Sequence, residues 1–270
     1  MRVIAGVARG FPLKGPPGPD TRATSDKVRG AIFDALAPYI EDARVLDLYA
    51  GTGALGIEAL SRGAAACLFV EKASAACRVI EANLRVTKLA DGAAVWYGTV
   101  EKALDTLAPP SPASPLPPPS SPASGRGRWA GSVPGRAGHA RLSARVVVGG
   151  GLGGALSPGS PGGAEGAEGE RRGERAAVDL SQAQGEWGVR AAFNPPYDII
   201  TLDPPYHDSG IGDVLERVGR PGLVAQDGFV ILEHGKRWAP PPHPGVLRLR
   251  RTRLYGDTGV TLWQREEAED

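Results

Sequence analysis

The chain has 270 residues, 41% of them apolar, with 31 Lys and Arg against 30 Asp and Glu. Two cysteines, Cys67 and Cys77, exclude a disulfide scaffold, and neither has a partner at metal-ligand spacing. No apolar run is long enough to span a membrane and residues 1–13 lack a signal-peptide core, so a soluble cytoplasmic protein is expected.

The net charge of +1 hides a segregation. Residues 1–29 carry six basic side chains (Arg2, Arg9, Lys14, Arg22, Lys27, Arg29) against two acids, and Lys236 to Arg253 carries six more with none. If the two clusters meet, they form a surface suited to a polyanion.

In chain order, Val3-Ile4-Ala5 and Phe11-Pro12-Leu13 flank a Gly- and Arg-containing turn and predict a short basic hairpin. Val28, Ile32, Phe33 and Leu36 fall at helical spacing between a Thr24 or Ser25 cap and Pro38. Arg44 to Tyr49 reads as a strand, Leu55 to Arg62 as a helix, Ala66 to Val70 as a strand ending in Glu71, and Ala75 to Leu84 as a helix. Ala93 to Tyr97 and Val100 to Leu107 repeat the alternation, which implies a parallel α/β sheet. Eight of the fourteen residues 109–122 are proline, and Gly-, Ala- and Glu-rich sequence continues to about Phe193, broken only by Val146-Val147-Val148. Residues 109–194 are therefore expected to be a disordered low-complexity insertion. Tyr197 to Leu202 is a buried strand, a helix follows around Gly212 to Val218, and Phe229 to Glu233 is another strand. Leu247 to Leu254 and Val260 to Trp263 predict a C-terminal antiparallel hairpin. The expected map is residues 1–38 as a basic hairpin and helix, 39–108 with 195–265 as the main domain, and 266–270 as an acidic tail.

Gly51-Thr52-Gly53-Ala54-Leu55-Gly56 matches the nucleotide-binding fingerprint between a strand and a helix. Asp47 precedes it within the strand, where a carboxylate would meet the ammonium of a methionine moiety but repel a pyrophosphate. Glu71 ends the next strand and can accept hydrogen bonds from ribose hydroxyls. The pattern favours S-adenosylmethionine over a nicotinamide cofactor. Asp203-Pro204-Pro205-Tyr206 follows a buried strand at the end where open parallel sheets bind ligands. There the Asp203 carboxylate and the Pro204 carbonyl could accept hydrogen bonds from a conjugated amino group, turning its lone pair toward a methyl donor, while Tyr206 offers a stacking face. Asn194-Pro195-Pro196-Tyr197 has a similar pattern but precedes its strand, so it belongs at the opposite end of the sheet.

Together with the opening Arg2-Val3-Ile4-Ala5-Gly6, the segment Arg22 to Arg29, the run Leu46 to Gly63, Phe69-Val70-Glu71 and the terminal Tyr255-Gly256-Asp257-Thr258, these residues resemble the bacterial 16S ribosomal RNA guanine-N2 methyltransferases of the guanine-966 type. The resemblance implies a Rossmann-like α/β methyltransferase with a mostly parallel sheet, acting without a metal on small-subunit ribosomal RNA or an assembling small subunit. Carried over residue by residue, it gives Asp203, Pro204 and Tyr206 as catalytic and Asp47, Gly51, Gly53, Glu71 and Thr99 as cofactor-binding. The RNA-binding set is Arg2, Arg9, Arg22, Lys27 and Arg29. Departures are Ala23 where the family usually has proline, Thr99 where an acidic residue often stands near the adenine, and the long insertion. The competing activities are methylation of DNA adenine or protein glutamine through the same tetrapeptide, and a non-catalytic RNA-binding assembly factor.

Overall fold

The computed structural model describes residues 1–15, 25–107, 146–149, 193–205, 208 and 210–266. Eight strands form one sheet: β1 (Arg44–Leu48), β2 (Ala66–Glu71), β3 (Ala93–Tyr97), β4 (Val146–Gly149), β5 (Tyr197–Leu202), β6 (Val224–Gly235), β7 (Leu247–Tyr255) and β8 (Thr258–Arg265), in the order β4-β3-β2-β1-β5-β6-β8-β7. The first six are parallel, and β8 and β7 close the far edge antiparallel. β1 pairs with both β2 and β5, so the order reverses there, and the strand ends beside it are where such sheets take ligands.

Helices α1 (Asp26–Leu36), α2 (Ala54–Ser61), α3 (Ser74–Thr87), α4 (Val100–Leu107) and α5 (Ile211–Val218) divide between the two faces. Strand side chains alternate, so Val45, Phe69 and Ile199 join Ile32, Phe33, Ile57 and Ile80 in one apolar layer. Leu46, Leu48, Ile200 and Leu202 join Leu104, Leu107, Val214 and Leu215 in the other. Ser25 caps α1 as expected, its hydroxyl accepting the Val28 amide at 3.2 Å.

The N-terminal segment is not a separate unit. Val3 accepts from Gly10 and donates to Phe11 through the backbone, an antiparallel bridge joins Arg2 and Pro12, and Val3, Ala8 and Leu13 are buried in the first apolar layer. Glu58 of α2, fully buried, accepts from the amides of Ile4 at 2.8 Å and Ala5 at 3.0 Å, while Ser61 accepts from Ala8 and donates to Ala5. Asn83 of α3 ties Lys14 to the carbonyl of Thr52 in the glycine loop.

The reading of residues 109–194 as devoid of regular structure needs correction at one point. Val146–Gly149 is β4, paired in parallel with β3 from Ala94↔Val146 to Tyr97↔Gly149. A β-branched run suits such an edge position. The other residues of 109–192 lie outside the described set. β6 is also longer than expected: it begins at Val224, paired with Tyr197, before an irregularity resets the register to Ile199↔Phe229.

Candidate active site

The glycine loop runs from the end of β1 into α2. Tyr49, Gly51 and Gly53 all adopt left-handed backbone angles (φ 59°, 54° and 77°), and the Gly53 amide closes the turn on the Ala50 carbonyl at 2.7 Å. The third glycine serves packing: a Cβ on Gly56 would lie 2.3 Å from Phe69 Cε1 and 2.5 Å from Cys67 Sγ, so only glycine lets α2 rest against β2.

Asp47 is not where its expected role requires it. It is 1% exposed, its Oδ2 accepting the Gly56 amide at 3.0 Å and its Oδ1 the Thr201 hydroxyl at 2.8 Å. Asp47 follows Val45 by two residues on β1, so the period of the strand turns it inward beneath α2 rather than out toward a ligand. What sets Asp47 apart is its burial, which leaves no surface for an ammonium group to reach; the residue positions the glycine loop through the Gly56 amide. Burial pushes its carboxyl up to about 7, against the pull of the Thr201 and Gly56 bonds.

Glu71 stands differently. It is half-buried at the end of β2, with Oε2 on the Gly51 amide at 2.9 Å and Oε1 on the Ala73 amide at 2.7 Å. Thr99 follows β3 in the same row of strand ends. Its hydroxyl accepts the Lys102 amide at 3.4 Å and starts α4, and the neighbouring Gly98 amide donates to the Glu71 carbonyl at 3.0 Å. Gly51, Gly53, Glu71 and Thr99 are therefore brought together along one edge.

Asp203 and Pro204 leave β5 beside the end of β1, with the Asp203 amide 3.5 Å from the Leu48 carbonyl. Asp203 is half-buried and Pro204 buried, whereas Tyr206 lies outside the described residues. The Asn194-Pro195-Pro196-Tyr197 segment enters β5 at its amino end, where Tyr197 is buried and its hydroxyl donates to the Phe193 carbonyl. It stands at the opposite end of β5 from Asp203.

Next to the Asp203 loop is a cavity of about 560 Å³ walled by Pro204, Pro205, Asp208, Ile211, His234 and Trp238, with Lys236 and Arg237 on its lining as well. Sequence reasoning missed His234 and Trp238. The available signal was their place at the last residues of β6 and just beyond it, at the ligand-binding end of the sheet. Tyr49 was also missed; it packs on the same apolar layer as Trp238, and burial with the nearby Asp208 carboxylate raises its pKa.

The basic residues divide. Arg2, Arg9 and Lys27 are exposed, and Arg22 lies outside the described residues. Arg29 departs from the expected RNA-binding set: it is fully buried, donating to Asp26 at 2.9 Å and to the Arg2 carbonyl, with its Nε 3.9 Å from Glu58. It fastens the hairpin to α1 and α2 and presents no charge to a ligand. In the C-terminal cluster, folding supplies acids that the local sequence lacked: Lys236 pairs with Asp257, and Arg248 and Arg250 approach Glu266 at 3.8 and 3.0 Å. Arg251 and Arg253 are exposed on β7 opposite Leu262 and Val260, on the side of the sheet that carries α1. Among the described residues no three His, Cys, Asp or Glu side chains cluster as a metal site, and no helix is long and apolar enough to cross a membrane.

The strand order and the glycine loop define a Rossmann-like α/β methyltransferase fold. It is shared with the solved structure "Putative methyltransferase yhhF from Escherichia coli", at a TM-score of 0.60 and 24% identity over 98% of each chain. The chain belongs to the family described as Conserved hypothetical protein 95, whose model matches residues 1–114 and 171–264. It is 28% identical to the "Putative rRNA methyltransferase YlbH" of Bacillus subtilis, over 98% of this chain and 99% of that protein. It is 46% identical over 88 residues to the "Ribosomal RNA small subunit methyltransferase D" of Escherichia coli, a match covering 33% of this chain and 44% of that protein.

Proposed function

We propose that this protein is an S-adenosylmethionine-dependent methyltransferase of small-subunit ribosomal RNA, and that it modifies the N2 amino group of a guanine. The observation that carries the reading is the Asp203-Pro204 loop, held against the end of β1 between the glycine loop and a cavity of ligand size. The names of its relatives supply the RNA.

Gly51, Gly53, Glu71 and Thr99 are the residues to hold S-adenosylmethionine, which supplies an electrophilic methyl group. The fit rests on Glu71, whose half-buried carboxylate keeps lone pairs for ribose hydroxyls beyond those given to the Gly51 and Ala73 amides. The protein's own groups do the rest. Asp203 and the Pro204 carbonyl accept hydrogen bonds from the target amine and rotate its lone pair out of conjugation with the ring. Positioning of that nitrogen supplies most of the rate. Exposed Arg2, Arg9, Lys27, Arg251 and Arg253 give the phosphate backbone a positive face.

The test is labelled methyl transfer to small subunits lacking the modification, followed by mapping of the modified base. Asp203→Ala should abolish transfer while calorimetry shows unchanged cofactor binding. Transfer to DNA or to a protein glutamine in place of ribosomal RNA overturns the substrate assignment.

A further inference from the structure

The cavity beside the Asp203 loop has one wall whose construction the transfer chemistry leaves unexplained. Trp238 is half-buried on a turn after β6, its amide donating to the Gly235 carbonyl at 3.0 Å. Its ring leans on the His234 imidazole, with centroids 5.0 Å apart at 57°. His234 is itself buried and fixed at both nitrogens: Nδ1 lies 2.9 Å from that same Gly235 carbonyl and Nε2 lies 2.8 Å from the Thr261 hydroxyl.

The directions of these bonds follow from chemistry. A carbonyl only accepts, so Nδ1 carries the proton, Nε2 accepts from Thr261, and Thr261 in turn accepts from the Thr252 hydroxyl 3.0 Å away. Burial also lowers the imidazole pKa, which keeps the ring neutral at physiological pH. His234 crosses β8 at Gly259, where a Cβ would lie 2.3 Å from its Cε1. A glycine, two threonines and a single histidine tautomer thus fix the ring beneath Trp238.

We infer that Trp238 is the stacking wall of the target-base pocket, beside Pro204-Pro205. This rests on the ribosomal RNA reading above. The cavity is lined by aromatic Trp238 and by Pro204, Pro205 and Ile211, apolar surfaces of the kind that hold a base taken out of its stack. Its polar lining combines carboxylate with cation. Asp208 is set by its Oδ1 bond to the Gly210 amide at 2.8 Å, and the same cavity is lined by Glu233, by Arg237 and by Lys236 in its pair with Asp257.

The experiment compares wild type, Trp238→Leu and Trp238→Phe in steady-state methyl transfer to small subunits lacking the modification, with cofactor affinity measured by calorimetry. Leucine keeps the apolar contact with His234 and removes the aromatic face; phenylalanine keeps both. Trp238→Leu should raise KM for the subunit by roughly 5- to 150-fold, the range of one base-stacking contact, with cofactor affinity unchanged and Trp238→Phe near wild type. An unaltered KM in Trp238→Leu overturns the pocket assignment, as does a Trp238→Phe variant as impaired as the leucine. Wild-type protein that transfers no methyl group to the subunit overturns the ribosomal RNA reading itself, and the pocket assignment with it.

Discussion

Asp47→Asn isolates the electrostatic cost of the buried carboxylate under the glycine loop. In the folded protein Asp47 titrates near 7, against 3.8 for an ordinary aspartate. The native state therefore holds this proton more tightly than the unfolded chain. The stability it contributes is complete below 3.8 and is lost as pH rises toward 7. A tenfold change in proton affinity is about 1.4 kcal/mol, so the full loss above pH 7 approaches about 4 kcal/mol, roughly half of it already incurred near pH 5.5. Asparagine keeps an oxygen for the Gly56 amide and turns its NH2 group to the Thr201 hydroxyl oxygen, replacing both bonds without a charge. Urea unfolding of the two proteins near pH 5.5 and near pH 8.5 should show the stability difference moving by about 2 kcal/mol in favour of the variant at the higher pH. His234 also titrates, its depressed pKa contributing stability above the ordinary histidine range that is lost on acidification, but it is common to both proteins and cancels. A difference that stays constant between the two pH values refutes the reasoning.

Glu58→Ala should cost about 3–5 kcal/mol in urea unfolding, because it removes the buried acceptor of the Ile4 and Ala5 amides and of Arg62 and leaves buried Arg29 to Asp26 alone, and limited proteolysis should then reach residues 1–14 first. Gly259→Ala should cost about 1–3 kcal/mol, since the new methyl group can enter only by displacing His234; a melting temperature equal to wild type contradicts this. Glu71→Ala should weaken S-adenosylmethionine binding by about 1.5–3 kcal/mol for each ribose hydrogen bond lost, as measured by calorimetry on a protein of unchanged circular dichroism. Residues 115–170, which the family model skips, should be replaceable by a short Gly/Ser linker with a cooperative unfolding transition retained, because loop length is a weak term and β4 pairs only at the sheet's edge.

Periodicity made the alternation of elements legible, because each signal is local. The Ser25 cap, the apolar spacing of α1 and the strand–glycine–helix sequence at Leu46 to Gly56 all act within a few residues. The Asp203 loop was legible for the same reason: its place after a buried strand fixes which end of the sheet it occupies. What escaped were partners distant in the chain. Asp47 meets Thr201 across 154 residues, and that contact turns an expected ligand-binding carboxylate into a structural one. Arg29 was grouped with surface cations because it was counted among the basic side chains of residues 1–29; Glu58 and the Arg2 carbonyl, which help bury it, come from other elements. Val146–Gly149 was too short to outweigh its Gly- and Pro-rich surroundings, yet an exposed edge at β3 lets four residues become a strand. His234 and Trp238 gave no periodic signal, since their arrangement depends on Gly235, Thr261 and Gly259 together.

The order of the strands divides labour along the chain. Every residue assigned to the methyl donor precedes β4, and every residue walling the base pocket follows it. In the sheet, these two portions adhere along one seam of hydrogen-bonded strands, β1 against β5 from Val45↔Ile199 to Leu48↔Leu202. The Asp47–Thr201 bond crosses that seam. A polypeptide severed between Gly149 and Phe193 would therefore yield two fragments with separable duties, one gripping the donor and one selecting the acceptor. Their reassociation would depend on pH through the buried Asp47 carboxylate stitched across the join.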